Sequence, residues 1–390
     1  MPNWQWAVVS TCDNFASLPF KLPQLSQLVK LTVGISGSLI RLSLTNRYGD
    51  HNLVFEQVVV ADNPQMSNGQ VVTAAQRSAI VVPAGEVLIT DPIAFKVTAG
   101  QPLYVRMVAS RPQKYADFAS TYDPRMVNGT YSRMARLLPP LPTGCGARKG
   151  WFCLEGVQVF SSDQPLTVNV TGDSLAEMGL VANSLVKQLR AASDRPVVLI
   201  NTAISGSRLL NDAPDDEPLF ATFGQSLLHR LARPRWTAEI TVALVGSNDL
   251  VLPLWSQAAF LPTVQQLVNG VDRLTKLADQ HGSHLLMTTI PPFDLHLPAK
   301  QAAVSQHLAE VRFCINQQLV KRPFVVNVEP LVATGGRLTP QADFGDQLHY
   351  SPAGANLVAT ALFHWIDDKM SISHNRGTLK GADNEEGRTL

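Results

Sequence analysis

The octapeptide GDSLAEMG, residues 172–179, holds a serine that could do two things. With Glu177 three residues on, Ser174 spells a capping box, in which both side chains satisfy N–H groups at a helix start. As a nucleophile it needs a base to take its proton, a carboxylate to fix that base's tautomer, and donors for the oxyanion. The rest of the chain offers such a set. Asp346 and His349, in DQLHYSPAG, stand three residues apart, so one loop can supply orienter and base. Candidate oxyanion donors are the backbone N–H groups of Ser174 and Gly206, the latter in NTAISGSRLL, and the side-chain amide of Asn248 in VALVGSNDL. Taken singly, each has a plainer meaning: a cap at Ser174, a turn glycine at Gly206, a turn or cap at Asn248 and Asp249, a surface histidine at His349.

These residues do useful chemistry only if the elements around them converge. From Leu28 to about Val108 the chain runs in short segments of period two, such as Ile40, Leu42 and Leu44 against Arg41 and Ser43. Turn signals such as Asn68-Gly69 and Ala99-Gly100 punctuate them, which predicts an all-β half of sandwich or jelly-roll type. Residues 110–150 have little regular pattern and read as a long ordered excursion or a mobile loop, and Gly156–Phe160 reads as a returning strand. After SSDQP at 161–165 the period changes. Apolar runs at 166–170, 197–200, 239–245, 284–290 and 324–328 alternate with helical stretches, one of which aligns Val264, Leu267, Val268, Val271 and Leu274. A second aligns Val304, Leu308, Val311, Ile315 and Leu319. Strand and helix alternating in this way predict a parallel sheet covered on both faces, with its ligand crevice at the carboxyl ends of the strands. Ser174, Gly206 and Asn248 follow the first three of those strands, and Asp346 and His349 precede the last helix, for which Ser351 is the expected cap and Pro352 the first residue. The expected division is therefore a β-domain over 1–162, an α/β domain over 163–370 and a disordered tail over 371–390.

Composition narrows the function classes. The 390 residues are 45% hydrophobic and 16% charged with a formal charge of +1, which leaves no basic footprint for nucleic acid. No stretch is long and apolar enough to span a membrane, and the N-terminus has no signal-peptide pattern, so a cytoplasmic protein is expected. The four cysteines, Cys12, Cys145, Cys153 and Cys314, lack C-x-x-C spacing and are expected as free thiols. No metal is expected, because His281 and His284 flank a turn without a third ligand, and Asp215, Asp216 and Glu217 lack a calcium-loop pattern. G-x-S-x-G, H-E-x-x-H and G-x-x-x-x-G-K-[ST] are all missing.

GDSL at 172–175, Gly206 in its loop, GSND at 246–249 and DQLH at 346–349, in this order, resemble the four sequence blocks of the SGNH (GDSL) hydrolases. The resemblance implies a flavodoxin-like three-layer α/β/α fold, no cofactor or metal, and hydrolysis of esters, thioesters or O-acetyl groups. It also implies Ser174 as nucleophile, His349 as base, Asp346 as its orienter, and Ser174, Gly206 and Asn248 as the oxyanion hole. SLIRLSLTNRYGD at 38–50 and ITDPI at 89–93 resemble the two-domain members that carry an N-terminal β-domain. Three positions depart from the blocks: Ala203 where glycine is frequent, Ala176 where threonine is common, and Tyr350 where proline is usual. The expected partner is a small ester, of short acyl chain or an acetylated carbohydrate. An acyltransferase would use the same residues, and a carbohydrate-binding protein without activity would not need them all. Oligomeric state is left open.

Overall fold

The computed structural model describes residues 1–123, 127–132, 149–295 and 302–372. Seven strands frame the N-terminal part: β1 (Asn3–Ser10), β2 (Leu25–Thr32), β3 (Gly37–Thr45), β4 (Gln57–Ala61), β5 (Pro102–Ala109), β6 (Val127–Ser132) and β7 (Leu154–Ser161). One antiparallel sheet runs β6-β2-β5-β4, and a second set pairs β3 with β7 and β7 with β1. The period-two pattern holds for the apolar positions and Arg41 but not for Ser43, which is buried. Ile40, Leu42 and Leu44 of β3 share one core with Val29 and Leu31 of β2 and with Leu103, Val105 and Met107 of β5, while Arg41 stays partly exposed.

The described residues of 110–150 follow the first of the two readings, an ordered excursion. They contain Gln113–Tyr115, Asp117–Thr121 and β6, which pair respectively with Phe20–Leu22, Lys149–Phe152 and β2. Two of these partners lie some ninety residues away and all three strands are short, so local alternation carries little of their signal. Part of that segment, 124–126 and 133–148, falls outside the described residues, as does the tail from 373.

The C-terminal part alternates strands and helices. All five apolar runs are strands, β8 (Leu166–Gly172), β9 (Val197–Asn201), β10 (Ile240–Leu244), β11 (His284–Thr288) and β12 (Val325–Val326), parallel and in the order β9-β8-β10-β11-β12. The helices that position or cover them are α1 (Ser174–Glu177), α2 (Leu180–Ala192), α3 (Leu227–Ala232), α4 (Ser247–Val251), α5 (Val264–Gln280), α6 (Ala302–Leu319) and α7 (Pro352–Met370). On one face Leu185 and Leu189 of α2 and Val358 and Leu362 of α7 pack on Val168, Val170 and Val242. On the other, Leu227, Leu267, Leu274 and Ile315 pack on Ala243, Leu285 and Met287. This is a three-layer α/β arrangement. The aligned face of α6 is buried at Leu308, Ile315 and Leu319, but Val304 in the first turn is 39% exposed.

β1 joins the two parts. It runs antiparallel to β7 and parallel to β9, pairing Val9 with Ile200 and Ser10 with Asn201, so a single sheet continues from β3 to β12. β9 accordingly has two different neighbours: Val198 and Ile200 enter the N-terminal core, and Val197 and Leu199 the helical one. From β8 the chain goes to one side for β9 and returns to the other for β10. The loops after β8 and β10 therefore diverge, which opens a crevice at their carboxyl ends.

Candidate active site

β8 ends at Gly172, whose φ is +130° and whose Cβ, if present, would lie 1.8 Å from the Leu244 carbonyl oxygen. Only glycine permits this tight turn under β10, and it sets Ser174 at the mouth of α1. The cap of α1 is not Ser174 but Asp173, whose Oδ1 accepts a hydrogen bond from Leu175 N–H at 3.0 Å. Ser174 is the first helical residue. Glu177 does not close a capping box either. Its carboxylate accepts hydrogen bonds from the Ser120 hydroxyl and, at 2.7 Å, from Ser205 N–H. The S-x-x-E pattern thus ties three separate segments together instead of capping one helix.

The Ser174 hydroxyl meets His349. Its Oγ lies 2.8 Å from His349 Nε2, and His349 Nδ1 lies 2.6 Å from Asp346 Oδ2. The other oxygen of Asp346 accepts hydrogen bonds from the N–H groups of His349 at 2.9 Å and Leu348 at 3.0 Å. Partial burial opposes ionisation of Asp346, but the His349 ring, these two N–H groups and the histidine's charge outweigh it and hold the carboxyl well below the ordinary range. An ionised acceptor on Nδ1 keeps the proton there and turns the Nε2 lone pair to the serine. The loop that carries both residues is itself braced. Phe344 N–H donates to the His349 carbonyl at 2.9 Å, and Asp343 Oδ1 accepts from the N–H groups of Asp346 and Gln347. Ser351 caps α7 through Gly354 N–H, with Pro352 in the first turn, as expected. Tyr350 is buried in the helical core immediately after the histidine.

The expected oxyanion donors come to the same edge. Ile204 N–H donates to the Gly172 carbonyl at 3.1 Å, which binds the Gly206 loop to the end of β8. Gly206 has φ +78°, and a Cβ there would lie 2.1 Å from the Phe223 ring. Asn248, at the start of α4, donates from Nδ2 to the Ser207 carbonyl at 3.2 Å, which leaves its second amide hydrogen uncommitted. Among the described residues the N–H groups of Ser174 and Gly206 donate to nothing. Ser174, His349 and Asp346 thus form one hydrogen-bonded chain, while Gly206 and Asn248 sit on loops joined to each other at Ser207 and to the end of β8 through Ile204.

Sequence reasoning missed the residues that hold them. Asp249, read as a turn or cap, is buried and accepts hydrogen bonds from Leu209 N–H at 2.7 Å and Leu210 N–H at 3.1 Å, fixing the far side of the Gly206 loop. Burial pushes it up to about 6 against those donors. Asp173 is pushed by burial up to about 7, and its Oδ2 has no partner. The guanidinium of Arg230 donates to the carbonyls of Thr202 and Gly172 and to the Ser207 hydroxyl, so one side chain braces the loop after β9 against the end of β8. An arginine whose partners are mainly backbone carbonyls leaves no sequence signature. The adjacency of Asp249 to Asn248 was the one available signal.

Cys12, Cys153 and Cys314 are free thiols, while Cys145 lies outside the described residues. Among the described residues no group of three or more His, Cys, Asp or Glu side chains is arranged to hold a metal ion, and no helix is long and apolar enough to cross a membrane.

No protein-family model and no curated protein matches this chain. Solved structures do. A carbohydrate acetylesterase family member from Sinorhizobium meliloti is 16% identical at TM-score 0.39, covering 53% of this chain and 99% of that one. An aryl esterase from M. smegmatis is 17% identical at TM-score 0.38, covering 53% of this chain and 99% of that one. A GDSL-like lipase from Bacteroides thetaiotaomicron is 16% identical at TM-score 0.38, covering 52% and 89%. At these values the likeness carries no functional inference, and the chemistry rests on the site itself.

Proposed function

We propose that this chain is a serine hydrolase of carboxylic esters that works through an acyl-enzyme on Ser174. The observation that carries the reading is the unbroken hydrogen-bond chain from Asp346 through His349 to the Ser174 hydroxyl. In the first half-reaction Ser174 Oγ attacks the ester carbonyl as His349 Nε2 takes its proton, and Asp346 supports the resulting imidazolium. The negative oxygen is received by the N–H groups of Ser174 and Gly206 and the Asn248 amide. The tetrahedral species then collapses, His349 returns the proton to the departing alcohol, and the acyl group remains on the serine. Water, deprotonated by the same histidine, releases the acid.

The substrate class is an ester of small acyl group, including O-acetyl groups on carbohydrate. Support for a confined site comes from the Phe223 ring, which packs against the Gly206 backbone. A panel of aryl esters of increasing acyl length, run beside acetylated sugars on wild type and Ser174→Ala, tests the reading. Turnover that falls with chain length and vanishes in the variant is expected. Equal turnover by Ser174→Ala overturns the mechanism, and a preference for long chains overturns the substrate class.

A further inference from the structure

A central strand of a sheet covered on both sides normally carries apolar side chains on both faces. β8 does so on one face only. Val168 and Val170 enter the helical core, but Asn169 and Thr171 on the opposite face line a cavity of about 500 Å³, with Thr202 beside them. The cavity lies where the two parts of the chain meet. Thr11, Arg47 and Tyr48 come from the N-terminal part, and Arg230, Arg233 and Arg235 from the C-terminal part. Ser174, Asp346 and His349 are not in its wall.

Its charge is one-sided. Four arginines line it and no aspartate or glutamate does. Behind the wall, Glu155 is fully buried and takes both Arg47, at 3.3 Å, and Arg235, at 2.7 Å. Asp13 and Asp173 act electrostatically on Arg230, Asp117 does so on Arg47, and Asp212 is engaged by His229. Arg230 spends its donors on carbonyls and hydroxyls, and burial lowers it only to about 10, so it remains a cation at neutral pH. Arg233 is exposed at the rim and forms no ion pair among the described residues. Acidic groups thus reach the arginines only from behind the lining, and the charged side chains that line the cavity itself are all cationic. Tyr48 and Trp236 add flat apolar surface, with the Arg235 guanidinium stacked 4.2 Å over the Trp236 ring.

We propose that this cavity binds a small organic anion of about sugar size, held through its anionic oxygens by the arginine wall and through its hydroxyl groups by the Asn169, Thr171 and Thr202 floor. Guanidinium groups pair with carboxylate and phosphate through the same fork of N–H donors, so both sources share the chemistry. A cavity of this volume suits a ligand of that size. The site is separate from the serine and stands whether or not the esterase reading holds.

Titration calorimetry on the full chain at fixed ionic strength tests the proposal, with inorganic phosphate, glucose 6-phosphate, glucuronate, citrate and uncharged glucose as probes. One saturable site per chain is expected for at least one anionic probe, and binding at least tenfold weaker for glucose. Preference for glucose 6-phosphate assigns a phosphate ester, and preference for glucuronate or citrate assigns a carboxylate. Arg233→Gln should weaken binding about tenfold and Arg233→Glu should abolish it, with melting temperature unchanged because the residue is exposed and unpaired. Absence of saturable binding by every anion up to about 10 mM overturns the proposal. So does glucose binding as tightly as the anions, or equal affinity in wild type and both variants.

Discussion

Two histidines in this chain have the same carboxylate geometry and different neighbours. His349 Nδ1 lies 2.6 Å from Asp346, and His51 Nδ1 lies 2.6 Å from Asp50. Past that point they diverge. The second nitrogen of His349 faces the Ser174 hydroxyl at 2.8 Å, whereas that of His51 accepts from the Lys114 backbone N–H at 3.4 Å. The side chains of His51 and Asp50 are 41% and 65% exposed, against 21% and 47% for His349 and Asp346. Asp50 is also shared with the Lys114 ammonium, whose hydrogen bond, with that of His51, holds it down to about 2. A histidine–aspartate pair is therefore not a general base by virtue of the pair. What distinguishes His349 is a lone pair aimed at the hydroxyl of a serine whose N–H has no partner among the described residues.

The strongest way to break that contrast is to make the same change at both histidines. His349→Asn should lower kcat about 10⁴-fold or more, and His51→Asn should leave ester turnover within about twofold of wild type. Ser174→Ala combined with His349→Asn should cost little more than either alone, since the two act as a unit. Comparable losses at both histidines, or an additive double variant, would remove the distinction.

Asn248→Ala sharpens the contrast from the oxyanion side. A loss of about 10²- to 10³-fold in kcat with nearly unchanged KM is expected, because the amide acts on charge that develops in the transition state. A change confined to KM would make Asn248 a substrate-binding residue.

The smallest expected effect concerns Asp173, beside the serine. Its folded value of about 7 lies above the ordinary 3.8, so the fold favours the protonated form. That contribution to stability is complete below about pH 4 and is lost as the pH rises through about 7. Asp173→Asn keeps an acceptor for Leu175 N–H and replaces the unpartnered oxygen with an uncharged amide. The variant should therefore gain on wild type by on the order of a few kcal/mol between pH 4 and pH 7, measured by urea unfolding at each pH. A difference that does not vary with pH would place the aspartate's charge elsewhere.

The reacting atoms were more legible in the sequence than the frame that aims them. Ser174, Gly206, Asn248, Asp346 and His349 could be placed because each follows or precedes an element whose hydrophobic period is strong. Glu177 was misread because its partners, Ser120 and Ser205, lie 57 and 28 residues away, so the local S-x-x-E spacing pointed to a cap that Asp173 provides. β1 was missed because its role is set by pairing with β7 and β9, 147 residues on at the nearest pair, Val9 with Gly156, and not by its own alternation. The polar floor at Asn169 and Thr171 lies inside an apolar run and takes its meaning only from the cavity it lines.

The central claim is that Ser174 is the atom that forms the acyl-enzyme, and covalent labelling tests it most directly. A serine-directed phosphonate, followed by peptide mapping, should add one adduct per chain on the peptide that contains GDSLAEMG, with ester turnover falling in proportion to labelling. Ser174→Ala should take up none, and His349→Asn should label far more slowly. An adduct on another residue that abolishes turnover, or full turnover after complete modification of Ser174, would contradict the account.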